Sequence, residues 1–174
     1  CTRGRPDCTH CPFSGTCIAL SEGRVDELPV KKAKKPVPVR HVVMLLVYAD
    51  GRILLQKRPA SGIWGGLYSL PEITMEQDGG IVPDEEVASR VKLEVARWGN
   101  MESMAFMVPF EHVFTHFRLQ ITPCIVKLAG KETAGRTGEE IWQDAASVQM
   151  AALPAAVRKL LDVANRQGYL AFQD

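Results

Sequence analysis

A chain of 174 residues has room for one domain and an appendage, and its 46% apolar and 24% charged content excludes wholesale disorder. Lys and Arg number 21 against 20 Asp and Glu, so overall charge singles out no partner. The longest uninterrupted apolar run, 42–49, is far too short to cross a bilayer. Charge distribution says more. Residues 1–40 carry eight Lys and Arg against four Asp and Glu, whereas 41–174 carry thirteen against sixteen, so the positive end suits phosphate and the rest need not.

The chain opens at Cys1 rather than Met and reads as a fragment cut from a longer protein. Four of its five cysteines, Cys1, Cys8, Cys11 and Cys17, follow the spacing C-x6-C-x2-C-x5-C. Thiolates this close can surround one metal centre, because short loops hold them without a hydrophobic core; iron–sulfur clusters and structural zinc both accept four cysteines. Disulfides are the alternative, but nothing else in the sequence looks secreted. His10 sits inside the x2 step, a bystander when four cysteines are present. Cys124, in the apolar stretch 121–126, reads as a buried small hydrophobe rather than a reactive thiol.

This spacing resembles the end of the catalytic domain in the helix-hairpin-helix DNA glycosylase superfamily, where it holds a 4Fe-4S cluster. In that superfamily the loop between the first two cysteines brings basic residues to the DNA backbone. The matching residues here are Arg3 and Arg5, which the resemblance implies as phosphate contacts; two solvated arginines are the plain alternative.

Residues 21–40 read as a connector, with Pro29, Pro36 and Pro38 preventing regular helix and Lys31, Lys32, Lys34 and Lys35 offering no apolar face. From His41 the pattern becomes α/β. The segment 42–48 predicts a buried strand, 49–51 a turn and 52–57 a returning strand, together a hairpin. A glycine-rich loop, Gly62-Ile63-Trp64-Gly65-Gly66-Leu67-Tyr68, follows and leads to Ser69-Leu70-Pro71-Glu72. Over 83–97 a helix is expected: Val87, Val91, Val95 and Trp98 recur at helical spacing, and Asp84, Glu85 and Glu86 suit its positive N-terminus. Segments 104–108 and 113–126 read as strands. A last helix starts near Pro154, buries Val157, Leu160, Leu161 and Ala164, and stops at Gly168. The expected fold class is α+β, a mixed sheet flanked by helices, with a cysteine-rich loop over 1–20, a linker over 21–40 and one domain over 41–174.

The order of elements resembles a Nudix fold, whose box reads G-x5-E-x7-R-E-U-x-E-E-x-G-U with U a bulky aliphatic residue. Gly66 and Glu72 fit its opening. With Gly99 as the closing glycine, the basic position falls on Lys92 and the three glutamate positions on Leu93, Ala96 and Arg97. Hard cations such as magnesium need oxygen ligands, which these three side chains do not offer, so neither a Nudix magnesium site nor diphosphate hydrolysis is expected.

A glycosylase-type cysteine cluster, a linker and a degenerate Nudix-like domain resemble, in that order, the C-terminal part of MutY-type adenine DNA glycosylases. The most specific elements are the cysteine spacing, the glycine-rich loop with Pro71, and Phe114-Thr115-His116-Phe117. The family removes adenine mispaired with 8-oxoguanine or guanine in base excision repair, flipping the base and cleaving the glycosidic bond with carboxylates. Those carboxylates lie upstream of the cluster in the family, so Glu72, Glu85 and Glu94 are not promoted in their place and the fragment is expected to be inactive alone. The resemblance implies a 4Fe-4S cluster, double-stranded DNA carrying such mispairs as partner, a monomeric full-length protein and an intracellular, cytoplasmic location. A Phe-Ser-His loop of the family contacts the lesion; here Phe114, Thr115 and His116 occupy it, with Thr keeping the hydroxyl and adding a methyl. His112 is a lesser candidate, and His41 reads as structural. Without the resemblance, Phe114, Phe117, Leu119 and Ile121 would read as core of a strand with Thr115 and His116 on its surface. A zinc-bound interaction module and an active Nudix hydrolase of the nucleotide pool are the competing functions.

Overall fold

In the computed structural model, residues 6–28, 36–75, 83–130 and 139–170 are described here. The chain divides into two compact units, 1–36 and 37–174.

Within the first unit, Ser14–Thr16 forms a 3-10 turn, α1 spans Ile18–Ser21 and a second 3-10 turn covers Val25–Glu27; none of the three contains a buried residue. Phe13 and Ile18 are about seven-tenths exposed. A segment this short, with its apolar side chains in water, does not hold itself together by burial.

The second unit is a mixed sheet between two helices. Strand β1 runs Val39–Ala49, β2 Arg52–Lys57, β3 Tyr68–Ser69 and β4 Glu72–Met75; after α2 (Glu85–Val95) come β5 (Asn100–Phe106), β6 (Phe110–Val113), β7 (Arg118–Ala129) and β8 (Glu140–Asp144), and α3 (Ala155–Arg166) closes the order. The path through the sheet is β3-β2-β1-β7-β5, with β4 also pairing β1, β6 pairing β7 and β8 pairing β2. All pairings are antiparallel except β1 with β7, which run parallel from Val39↔Arg118 to Tyr48↔Lys127. Strand β1 is therefore central, and both of its faces are covered. Val42, Met44 and Leu46 point to one apolar cluster, shared with Val157, Leu160, Leu161 and Ala164 of α3. Val43, Leu45 and Val47 point to the other, shared with Val87, Val91 and Val95 of α2 and with Trp98. Such period-2 burial on both faces explains why the strand reads as a continuous apolar run. Each fully buried Leu or Val contributes about 1.5–3 kcal/mol.

The hairpin expected at 49–51 is present. Asp50 and Gly51 both adopt positive φ, 44° and 75°, and Ala49 pairs with Arg52, a two-residue turn of the kind whose twist suits adjoining strands. Helix α2 starts where Asp84 accepts a hydrogen bond from the Val87 N–H at 2.9 Å, and Glu85 and Glu86 follow in the first turn.

Three expectations differ from the structure. The sheet takes its first residues, Val39 and Arg40, from the stretch read as linker. The segment 104–108 is instead the end of β5, which starts at Asn100 and bulges between Met101 and Ser103. The single strand expected over 113–126 is two strands, because the chain reverses at Phe114-Thr115-His116-Phe117, where the Phe114 N–H donates to the Phe117 carbonyl at 2.9 Å. No Gly, Pro, Asn or Asp marks that reversal, so turn chemistry gives no sign of it.

Candidate nucleic-acid interface

The β6–β7 hairpin is the centre of the site. Its register runs Phe110↔Ile121, Glu111↔Gln120, His112↔Leu119 and Val113↔Arg118, which leaves Thr115 and His116 as the two tip residues, both exposed. Alternation along the strands turns Phe110, His112, Phe114, Phe117 and Leu119 to the α3 side of the sheet. There the rings make a column. Phe114 stacks on Phe117 at 4.4 Å between centroids and 17° between planes, and His112 meets Phe114 edge-on at 4.7 Å. Phe114 is thus a packing residue of the turn as well as part of the tripeptide.

The glycine-rich loop supplies the next ring. Trp64 lies 5.6 Å from Phe114 and 5.8 Å from His112, so two motifs separated by about fifty residues in sequence meet in one cluster. The loop is folded tightly back on itself. The Gly66 N–H donates to the Pro59 carbonyl at 3.1 Å, the Leu67 N–H to Trp64 at 3.1 Å and the Arg58 N–H to Leu67 at 2.8 Å. A Cβ at Gly65 would stand 2.4 Å from the Ala60 carbonyl oxygen, so no larger residue fits. Trp64 itself is held at φ 57°, a left-handed conformation that costs a side-chain-bearing residue about 1–2 kcal/mol. The loop therefore accepts strain to present that indole to the hairpin.

Two cations complete the surroundings. The Arg40 guanidinium carbon sits 4.6 Å from the Phe117 ring centroid, and the Lys159 ammonium 4.7 Å from that of Phe110. Sequence reasoning singled out neither of them, nor the ring contacts of Trp64; all depend on pairing between distant segments that no local pattern encodes. His41 is buried with its Nδ1 lacking a hydrogen-bond partner among the described residues, and lies on the opposite face from His112.

At the base of the glycine-rich loop, Glu72 is ion-paired with Arg58 at 2.5 Å, both about four-fifths buried. Leu93 is 80% exposed on α2. Arg97 bonds Glu94 at 2.7 Å, which holds its guanidinium above its ordinary pKa, and reaches the buried carboxylate of Glu140 at 3.6 Å. Glu140 also accepts from Gln56 Nε2 at 2.9 Å and from the Trp98 indole at 3.3 Å. Guanidinium groups are thus the cations partnering these carboxylates.

Of the predicted cluster ligands, Cys8, Cys11 and Cys17 are free and half-buried. Cys17 immediately precedes α1, and the Cys11 N–H points to the Cys8 carbonyl at 3.4 Å. Among the described residues no three His, Cys, Asp or Glu side chains are gathered closely enough to hold an ion. Cys1, Arg3, Arg5 and the lysine run at 31–35 lie outside the described residues. Cys124 is fully buried, and burial pushes its thiol up to about 12.

The model of the NUDIX domain matches residues 42–163. The chain belongs to the NUDIX domain family. The resemblance of this NUDIX domain to MutY-type proteins is found in both remaining comparisons. An adenine DNA glycosylase of Buchnera aphidicola (subsp. Acyrthosiphon pisum) is 26% identical over 163 residues, 93% of this chain and 43% of that protein. One from Arabidopsis thaliana is 28% identical over 153 residues, 75% of this chain and 24% of its own. The chain thus spans less than half the length of these curated relatives. Among solved structures, the C-terminal domain of mouse MUTYH, determined in complex with human PCNA, superposes with a TM-score of 0.60 at 19% identity, covering 78% of this chain and 93% of that one. The E. coli ORF135 protein gives 0.55 at 18% identity, covering 79% and 96%. At such identities the structural likeness establishes the Nudix-like fold, a mixed sheet with flanking helices. Among the described residues no helix is long and apolar enough to cross a membrane.

Proposed function

We propose that the chain is the C-terminal part of an adenine DNA glycosylase, and that its NUDIX domain binds DNA and reads the strand opposite the adenine to be removed. The observation that carries this reading is the β6–β7 tip: Thr115 and His116 stand exposed on a two-residue turn whose base is fixed by the Phe114–Phe117 stack and by Trp64. A hydroxyl on a rigid turn is a defined probe. 8-Oxoguanine differs from guanine in carrying a hydrogen on N7, and the Thr115 Oγ1 can accept from it, whereas guanine N7 needs a donor. Because a hydroxyl also donates, discrimination from this contact is modest, about 0.5–1.5 kcal/mol. His116, beside it, contacts phosphate or orients the loop.

Cleavage of the glycosidic bond belongs, in this reading, to carboxylates in the upstream part of the parent enzyme, whose work on genomic DNA makes it intracellular. Cys1, Cys8, Cys11 and Cys17 would hold a 4Fe-4S cluster, with Arg3 and Arg5 on the loop it shapes as phosphate contacts. Thiols are the donors such a cluster takes; the three described ones are free but not drawn around one point, and the turns around them bury nothing of their own, as in segments ordered by ligation. The cluster's contribution when bound is to staple that loop. In the parent enzyme, Thr115→Ala should lower the preference for 8-oxoguanine over guanine opposite adenine by roughly two- to tenfold. Identical preference in variant and parent would sink the lesion-reading role.

A further inference from the structure

We propose that Arg40 and Lys159 form a two-cation rail for the phosphodiester backbone, running down the hairpin from its tip. This rests on the DNA-binding reading above and adds to it two residues and the chemical class they grip. Each cation is held over a phenyl ring of the hairpin, Arg40 over Phe117 at 4.6 Å and Lys159 over Phe110 at 4.7 Å. A cation over a ring face keeps its N–H donors free while losing the wandering of a long side chain. Both residues are exposed, and neither has a carboxylate partner among the described residues.

They also lie on one face. Arg40 pairs with Leu119, which pairs in turn with His112, so the three share a side of the sheet. Phe110 and Phe114 are on that side two residues to either side of His112. Phe110 pairs with Ile121, four residues along β7 from Phe117, which separates the two cation seats by about 13 Å along the strand. One strand of B-form DNA rises about 3.4 Å along the helix axis per nucleotide and also turns about that axis, so seats about 13 Å apart span fewer than four nucleotides. The other cations nearby are differently placed. Arg118, on the opposite face, lies 3.8 Å from Glu111, and Lys127, at the far end of β7, is bonded to Glu102 at 3.0 Å.

A base reader at a hairpin tip needs its approach fixed by contacts that carry no sequence information, and backbone-directed cations do that. The test is the affinity of the 174-residue chain for a duplex containing 8-oxoguanine opposite adenine, measured by fluorescence anisotropy across a potassium chloride series. Arg40→Gln and Lys159→Gln should each make the slope of log affinity against log salt shallower by about 0.9, and the double variant by about 1.8. Arg40→Lys should keep the parent slope, and Lys127→Gln, the control from the other end of the domain, should leave it unchanged. Thermal melts check that each variant is folded. A parental slope in the folded double variant overturns the rail; if 8-oxoguanine is still preferred over guanine, the lesion-reading role stands without it. A parent chain with no salt-dependent affinity for the duplex overturns both.

Discussion

Replacing Trp64 with two different small residues separates what its ring contributes from what its backbone costs. Trp64→Ala removes two ring contacts, to Phe114 at 5.6 Å and to His112 at 5.8 Å. Pairs of this kind contribute about 0.5–1.5 kcal/mol each beyond area burial, and the indole is half-buried against the α3-side core, so the loss should be about 2–3 kcal/mol. Trp64→Gly loses the same ring but relaxes a residue held at φ 57°. That relief is about 1–2 kcal/mol, of which the freer unfolded chain of Gly takes back about 0.4–1 kcal/mol. Glycine should therefore be the better tolerated of the two by about 0.5–1 kcal/mol. Thermal unfolding followed by circular dichroism reads this directly, since about 1 kcal/mol moves Tm by about 2–4 °C in a chain of this size. Two results would refute the reasoning: an alanine variant as stable as the parent, which removes the brace, or a glycine variant less stable than the alanine one, which removes the strain.

Gly65→Ala should destabilise the domain by about 1–3 kcal/mol, because its Cβ would meet the Ala60 carbonyl at 2.4 Å and the loop must shift; a Tm equal to the parent's would show that the loop gives way freely. At pH 8 the Cys124 thiol, pushed up to about 12 by burial, should stay unmodified by iodoacetamide in the native chain and react only after unfolding, as peptide mass mapping would reveal. Anaerobically purified parent enzyme should contain about four irons and four acid-labile sulfides per chain; one zinc and no sulfide would move the cysteine unit to a zinc-bound interaction role.

How much of this was legible depended on whether the signal was local. Helix α2 and its buried Val87, Val91, Val95 and Trp98 follow from spacing alone, and the Asp50-Gly51 turn from its residue types, because in both the determining contacts lie within a few residues. The reversal at Thr115-His116 was invisible for the opposite reason. Its residues have no turn preference, and what bends the chain there is pairing on one side and a ring column on the other. The tripeptide could be named from family resemblance, but its support could not. Trp64 arrives from the loop at 62–66, Arg40 from the start of β1 and Lys159 from α3, three places that only the folded sheet brings to the hairpin. Strand β8 was likewise missed; Glu140 and Trp142 lie in it, and its pairing with β2 gives it order that its own five residues do not advertise.

The parallel partnership of β1 and β7 also has a bearing on how the chain must be made. Its ten residue pairs each join positions about 80 residues apart, and at a synthesis rate of about 5–20 residues per second the second strand leaves the ribosome about 4–16 s after the first. Throughout that interval the most water-averse strand of the molecule has only its antiparallel neighbours and, late in it, α2 beside it, and the hairpin that depends on β7 does not exist. The nascent chain is therefore exposed to misassociation through that strand, and the β6–β7 tip forms only once β7 has been made.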